Sequence, residues 1–176
     1  MRICNIFLIV FVMMLAGCAG TAPKATFIQP PKENVKVDGN DTISVIVTAG
    51  TGVEMLDGEK QRLIGVIEQK VTAKKALNGA GGESVAYSID LTITRYEKGS
   101  AVARLISAGL GQIHIDSNVR LFRTDGHELL SEFIINKTFA WGGGYGAATR
   151  IEDIEPAFAE GIAAAITGQA DSSANK

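Results

Sequence analysis

Cysteine, histidine and tryptophan are scarce in this chain of 176 residues, which has two cysteines, two histidines and one tryptophan. Both cysteines, Cys4 and Cys18, lie close to the amino terminus. Most of the chain therefore has no thiol that would form a disulfide, bind zinc or act as a nucleophile.

An excess of basic charge is lacking too, since 17 Lys and Arg stand against 19 Asp and Glu, for a net charge of -2. This balance excludes a basic field that would hold nucleic acid.

Catalytic signatures are also missing. The sequence has no G-x-S-x-G elbow, and the glycines around Gly109 lack the Lys and Ser or Thr of a phosphate-binding loop. His114 and Asp116 share one predicted strand face, where they would suit a metal chelate or a catalytic dyad. Because His127 lies in a distant turn, a full ligand set is hard to assemble. We predict no metal and no cofactor, and interpret His114 as a solvated residue.

The one long apolar run lies at the amino terminus, where Ile6 to Leu15 follow a short positive start at Arg2. A run of about ten residues is half of what a membrane-spanning helix needs. Small residues and Cys18 come next, which is the pattern of an exported protein. The sequence therefore predicts a signal peptide over residues 1–17. Its removal takes away Arg2 alone among the charged residues, leaving 16 basic against 19 acidic side chains.

Leu15-Ala16-Gly17-Cys18 resembles the lipobox of bacterial lipoproteins. That resemblance implies a thioether-linked lipid and an added acyl chain such as palmitate on Cys18. Two or more acyl chains make anchoring durable, whereas one binds only marginally. Ala19 follows the cysteine, where an Asp would indicate retention in the inner membrane. The resemblance thus implies an outer-membrane anchor with the domain facing the periplasm.

Three prolines interrupt the next segment, Pro23, Pro30 and Pro31, and no long periodic pattern appears there. We interpret residues 18–41 as the lipidated cysteine and an extended tether. In a second interpretation, Phe27 and Ile28 pack on the domain as part of an edge strand. The domain itself is predicted over 42–168, followed by a flexible tail over 169–176.

Hydrophobic periodicity divides the domain into alternating strand and helix patterns. Period-two alternation predicts strands at 42–48, at 85–97, from Ile113 to Leu121 and from Leu129 to Trp141, with a turn at Asp125-Gly126 between the last two. Helical spacing of apolar residues predicts one helix through Leu63, Ile67 and Val71 and another through Phe158 and Ile162. Thr149 and Glu152 would form a capping box. Pro156 moves the expected start of the last regular helix toward Asp153.

The element order is β-α-β-β-β-α, which predicts an α+β fold. We expect a two-layer sandwich in which a mixed four-stranded sheet carries both helices on one face. The first crossover should join parallel strands.

In this topology three glycine-containing connections meet at one end of the sheet: residues 49–54, 98–112 and 141–149. Both helix amino termini point there, which favours anions. The candidate ligand or partner surface contains Lys98, Arg104, Trp141, Tyr145 and Arg150. A second interpretation is that the glycines only satisfy tight turns. Within this region, Ala101 to Leu110 is interpreted as a short helix that closes the core, with an exposed apolar patch for a partner or lipid as the alternative.

Several motifs of this end resemble a family of bacterial lipoproteins known only as a domain of unknown function (DUF4410-like). They are Arg95-Tyr96-Glu97-Lys98-Gly99-Ser100, Ala108-Gly109-Leu110-Gly111-Gln112, Phe139-Ala140-Trp141-Gly142-Gly143 and Thr149-Arg150-Ile151-Glu152. The resemblance covers most of the chain from Thr42 to Ile166. It implies an envelope location and no established activity, so it assigns no catalytic residue.

We therefore predict a non-enzymatic binding or accessory subunit of an envelope assembly or transport system, held near its partner by the membrane. The alternative is a periplasmic hydrolase or carbohydrate-active enzyme that uses His114 and Asp116. A third possibility is a lipid or glycan binder at the glycine-rich end. The sequence leaves the oligomeric state open.

Overall fold

The computed structural model describes residues 23–32 and 35–169. The predicted signal peptide, Cys18 and all but the first residue of the predicted tail lie outside the described residues. None of the described helices combines the length and the hydrophobicity that spanning a membrane requires.

The described chain contains five strands, four α-helices and a short 3-10 helix at Asp125–His127. The strands are β1 (Thr26–Gln29), β2 (Thr42–Ala49), β3 (Ala86–Glu97), β4 (Ile113–Arg123) and β5 (Glu128–Phe139). The helices are α1 (Asp57–Leu77), α2 (Ala101–Ile106), α3 (Gly143–Ala148) and α4 (Ile151–Ile166). The α+β class is therefore confirmed.

One mixed sheet contains all five strands in the order β1-β5-β4-β3-β2. The strands β2 and β3 pair in parallel, as predicted for a crossover through α1, and the other pairs are antiparallel. The prediction of four strands is wrong. The fifth is β1, in which Phe27 pairs with Phe133 at the edge of the sheet, so the edge-strand interpretation of this segment is the correct one.

The predicted tether is also partly folded. Val37 is fully buried in the core, and the Asp41 carboxylate accepts hydrogen bonds from the amides of Asp38 (2.7 Å) and Val85 (2.9 Å). Val35 and Val37 are the only large apolar residues between Pro31 and Asp41. Two residues are too few for a periodic pattern, which is why the sequence does not reveal that this segment packs on the domain.

The two long helices occur where helical spacing predicts them. Leu63, Ile67 and Val71 of α1 are fully buried, and α1 ends before Gly79, whose φ of 77° suits a glycine after a helix. The helix α4 begins at Ile151, so the later start suggested by Pro156 is wrong. The predicted capping box is shifted by one residue, because the Arg150 amide donates to Asp153 Oδ2 at 2.7 Å. The short helices α2 and α3 bring the total to four instead of two.

A single hydrophobic core contains side chains from the sheet and from both long helices. On β3, the predicted inward residues Tyr87, Ile89, Leu91 and Ile93 are buried. A register shift between Ile93 and Arg95 then turns Tyr96 into the core. This bulge determines which side chains of β3 reach the end of the sheet where the candidate site lies.

Candidate functional site

Three connections meet at one end of the sheet, as the topology predicts. The parallel strands β2 and β3 end there, β4 begins there, and β5 ends there. The backbone joins two of these connections directly, since the Gly109 amide donates to the Ala140 carbonyl at 2.9 Å. Residues 98–112 and 140–150 thus form one structural unit above the end of the sheet.

Arg104 is the centre of this unit. Its side chain is buried, with 2% of the residue surface exposed. The guanidinium donates to four backbone carbonyls: Gly146 (2.7 Å, from Nε), Gly111 (2.6 Å) and Lys98 (3.4 Å) from Nη1, and Thr149 (2.9 Å) from Nη2. A planar five-donor fork suits this task, because it satisfies carbonyls of several segments at once. Arg104 therefore holds the loops together, and the prediction that it lies on a ligand surface is wrong.

Because Arg104 points inward, the apolar residues of α2 point outward. Val102, Leu105 and Ile106 are exposed to 70%, 56% and 76%. The interpretation of Ala101 to Leu110 as a helix that closes the core is therefore wrong, and the structure shows an exposed apolar patch instead. Other large apolar side chains are exposed at the same end. We call this set the apolar end: Val102, Leu105, Ile106, Leu110, Trp141 and Tyr145.

The apolar end is also free of exposed charge. Residues 99–113 and 138–149 contain a single charged side chain, Arg104, and that side chain is buried. About a fifth of the whole chain is charged, so a typical surface of this length would carry several charges. Exposed apolar surface without charges is characteristic of a site that binds a protein or a membrane.

Glycine permits the close packing of this unit. A Cβ atom on Gly146 would lie 2.1 Å from the Trp141 carbonyl oxygen, and one on Gly142 would lie 2.4 Å from the Ala108 amide nitrogen. Both neighbours are backbone atoms, which have little freedom to move aside. The two interpretations of the glycines are thus compatible, since tight turns here position the exposed side chains.

Aromatic rings line a cleft beside the unit. The Trp141 and Tyr145 rings meet edge to face with centroids 6.4 Å apart, and Tyr145 also contacts Phe139 at 6.0 Å. The cleft has a volume of about 920 Å³ and is bounded on the helix side by Thr149, Asp153 and Ile154.

The predicted cations Lys98 and Arg150 lie near this end but do not create an anion site. Lys98 Nζ contacts Glu59 Oε1 at 2.6 Å. Burial disfavours the charged form of Glu59, but hydrogen bonds from Lys98 and the Leu56 amide outweigh that effect and lower its pKa below 4.5. Glu59 and Asp153 thereby cap the amino termini of α1 and α4 with carboxylates of the chain itself. An added anion would meet these carboxylates.

A buried polar network below the apolar end was not predicted from the sequence. Arg62 donates to both carboxylate oxygens of Glu155 at 2.9 and 3.1 Å, and Tyr96 Oη donates to Glu155 Oε1 at 2.8 Å. Burial, followed by the bond to Glu155, raises the pKa of Tyr96. The hydrogen bonds that Arg62 donates to Glu155 likewise raise the pKa of Arg62. The network joins α1, α4 and β3, and its only sequence signal is polar residues at core positions.

His114 and Asp116 lie on the polar face of the sheet. His114 Nδ1 is 3.0 Å from Thr138 Oγ1, and across the strands His114 pairs with Glu97 and Asp116 with Arg95. Burial raises the pKa of Asp116. His127 is instead stacked on Phe122, with ring centroids 4.5 Å apart, at the hairpin on the opposite end. Within residues 23–32 and 35–169, no three His, Cys, Asp or Glu side chains are grouped to hold a metal ion.

Comparison with known families adds one match. The family model described as "Domain of unknown function (DUF4410)" matches residues 55–143, half of the chain. The matched region runs from the start of α1 to the beginning of α3 and includes most of the apolar end. No curated protein sequence matches the chain.

Solved structures show a similar fold. Two PelC dodecamers from Paraburkholderia phytofirmans align with TM-scores of 0.57 and 0.53, at 8% and 9% identity. The alignments cover 82% and 81% of this chain and 97% of PelC in each case. A minor lipoprotein from Acinetobacter baumannii has a TM-score of 0.40 and 10% identity over 74% of this chain and 94% of its own. The PelC likeness establishes the fold alone.

Proposed function

The chain belongs to the DUF4410 family, and we propose that it is a lipid-anchored envelope protein that acts by docking through its apolar end. In this proposal, lipid on Cys18 holds the protein at the outer membrane with the domain facing the periplasm. The protein catalyses no reaction and serves as a binding or accessory subunit of an envelope assembly or transport system.

The inverted polarity of α2 is the observation that supports docking. Burying Arg104 places the large side chains of Leu105 and Ile106 in contact with water. Exposed apolar area costs about 25 cal/mol for each Å² that remains in water, so an interaction partner that covers it gains that free energy. The four hydrogen bonds of Arg104 keep the surface in place before any partner arrives, which lowers the ordering cost of binding.

The location rests on the amino-terminal sequence. Residues 1–18 have the charge, apolar run and lipobox-like Leu15-Ala16-Gly17-Cys18 of a lipoprotein signal. An anchor also explains how a modest apolar surface suffices, because tethering raises the effective concentration of the partner at the membrane.

Metabolic labelling tests the anchor and the docking together. Cells that express the full chain are labelled with a palmitate analogue and fractionated into inner membrane, outer membrane and periplasm. We expect label in the wild type at the outer membrane, and neither label nor membrane association in Cys18→Ala. Label retained by Cys18→Ala would refute the anchor. For docking, wild-type and Leu105→Asp proteins are crosslinked in whole cells, and we expect the variant to lose one defined adduct of the wild type, whether the adduct is with a lipid or with a protein.

We also propose that the protein self-associates. The support is the likeness to two PelC structures that are dodecamers. Light scattering of the lipidated protein in detergent provides the test, and a mass of one chain at all concentrations would refute this part of the proposal.

A further inference from the structure

We propose that the apolar end docks on the lipid bilayer itself, so that the protein contacts its membrane through these side chains as well as through the lipid on Cys18. This inference rests on the proposed lipid anchor and identifies the partner of the docking surface. Three observations carry it: the position at which the described chain begins, the absence of exposed charge, and the types of side chain present.

The described chain begins close to the apolar end. In the antiparallel pair, Thr26 lies opposite Ile134 and Phe27 opposite Phe133, so earlier residues lie progressively nearer to the end of β5 at Phe139. Pro23 continues this direction. A Cβ on Gly161 of α4 would touch Pro23 O at 2.5 Å and Ile135 Cδ1 at 2.6 Å, which places Pro23 against Gly161 beside Ile135.

Covalent geometry then limits where the lipid can be. Cys18 is five residues before Pro23, and a fully extended chain spans at most about 3.6 Å per residue, so the two lie within about 18 Å. Four residues of strand separate Ile135 from Phe139, which is about 13 Å at 3.3 Å per residue. Seven residues separate Ile135 from Glu128, so the distance along the strand toward the hairpin is about 23 Å. A chain of this length is therefore long enough to bring Cys18 to the level of Phe139, where β5 ends and the connection to Trp141 begins, but too short to bring it to the level of Glu128 at the hairpin.

The lack of charge identifies which segments of this end would enter a bilayer. The apolar end exposes no charged side chain between residues 99 and 113 or between 138 and 149. Exposed charges flank these two segments: Glu54 and Asp57 follow β2, and Arg150 precedes α4. Acidic groups are repelled by a surface of anionic lipids, whereas an uncharged apolar surface enters the interfacial region without that cost.

The side chains themselves suit the membrane interface. Trp141 and Tyr145 have an apolar body and a polar tip, the combination that concentrates at the headgroup level of bilayers. Leu105, Ile106 and Leu110 provide the aliphatic surface that would enter the acyl region beneath. A weakly inserting patch is sufficient here, because the covalent lipid already holds the domain at the surface.

Trp141 is the only tryptophan in the chain, so its fluorescence reports on this surface alone. The full lipidated protein is reconstituted into vesicles of phosphatidylethanolamine and phosphatidylglycerol, with or without brominated acyl chains. We expect a blue-shifted emission that the brominated lipids quench strongly. The variant Ile106→Asp should lose most of this quenching. The matched control is Leu77→Asp, because Leu77 is exposed to the same 76%, is also the last residue of its helix, and lies at the opposite end. We expect its quenching to equal that of the wild type.

Mass spectrometry of Cys18 and flotation of the vesicles separate the two proposals. A chain that is lipidated and floats but shows no bromine quenching overturns the bilayer contact and leaves the anchor intact. If Trp141 is shielded from acrylamide but is not quenched by the brominated lipids, a second copy or another protein covers this surface. That result overturns the bilayer contact as well. A chain that carries no lipid and does not float overturns both.

Discussion

Arg62 and Glu155 are 93 positions apart in sequence, yet the Arg62 guanidinium donates two hydrogen bonds to the Glu155 carboxylate. The carboxylate is fully buried, whereas about a third of the Arg62 side chain is exposed. Tyr96 donates to the same carboxylate from β3. The pair therefore connects α1 and α4 beneath the apolar end, and Glu155 has two donors that compensate for the loss of water.

Removing Arg62 alone should be strongly destabilising. In Arg62→Met the buried Glu155 keeps only Tyr96 as a side-chain donor, and breaking a buried pair in this way costs about 3–5 kcal/mol. Urea denaturation followed by circular dichroism measures this loss of unfolding free energy. The double variant Arg62→Met with Glu155→Leu should recover most of it, because no charge then remains buried. If the double variant were no more stable than Arg62→Met, the unpaired carboxylate of Glu155 would not be the cause of the lost stability.

Local patterns predicted most of the framework, while the site depends on distant contacts. Period-two alternation locates β2 to β5, and helical spacing locates α1 and α4, because these signals depend on neighbouring residues. The helix α3 contains three glycines in six residues, so propensity argues against it. The burial of Arg104 could not be predicted for another reason. A lone charged residue in an apolar stretch is normally exposed, and nothing nearby in the sequence indicates otherwise. Two of its four acceptors, Gly146 and Thr149, lie more than 40 positions away. The five predicted surface residues do meet at one end, but only the fold shows that one of them is buried.

Replacement of Arg104 should loosen the apolar end before the rest of the domain. Arg104→Ala leaves the carbonyls of Gly146 and Thr149 without their donor, whereas the Gly111 carbonyl keeps the amide of Ser100 at 3.1 Å. Each unsatisfied buried group costs about 1–3 kcal/mol. Hydrogen exchange should accelerate most at the Gly109 amide, which bonds Ala140. The control is Arg150→Ala, because Arg150 is exposed and caps α4 through its backbone. Equal exchange rates in the two variants would refute the role of Arg104.

Acid should weaken the contact between α1 and α4. The hydrogen bond from Lys74 to Glu160, at 2.8 Å, is the main reason that the pKa of Glu160 lies below 4.5. A lowered folded-state pKa means that this contribution is complete above pH 4.5 and is lost as the pH falls through the folded value. Glu160→Gln should therefore have a lower free energy of unfolding than the wild type at neutral pH. The difference between the two proteins should shrink as the pH falls. Glu68→Gln, on the exposed face of α1, should show no such convergence in denaturation curves recorded across the pH range.

Gly161 should control how the amino-terminal segment attaches. Alanine at this position would bring Cβ to within 2.5 Å of Pro23 O and 2.6 Å of Ile135 Cδ1. Alanine favours a helix interior by about 1 kcal/mol over glycine, but forcing a methyl group into packed surroundings costs about 1–3 kcal/mol. We expect Gly161→Ala to lower stability and to expose residues 23–29 to proteolysis as Pro23 is displaced.

The matched variant Gly65→Ala, in α1 with open space around the new Cβ, should instead gain about 1 kcal/mol. If both variants were stabilised and equally resistant to protease, Pro23 would not be held by Gly161.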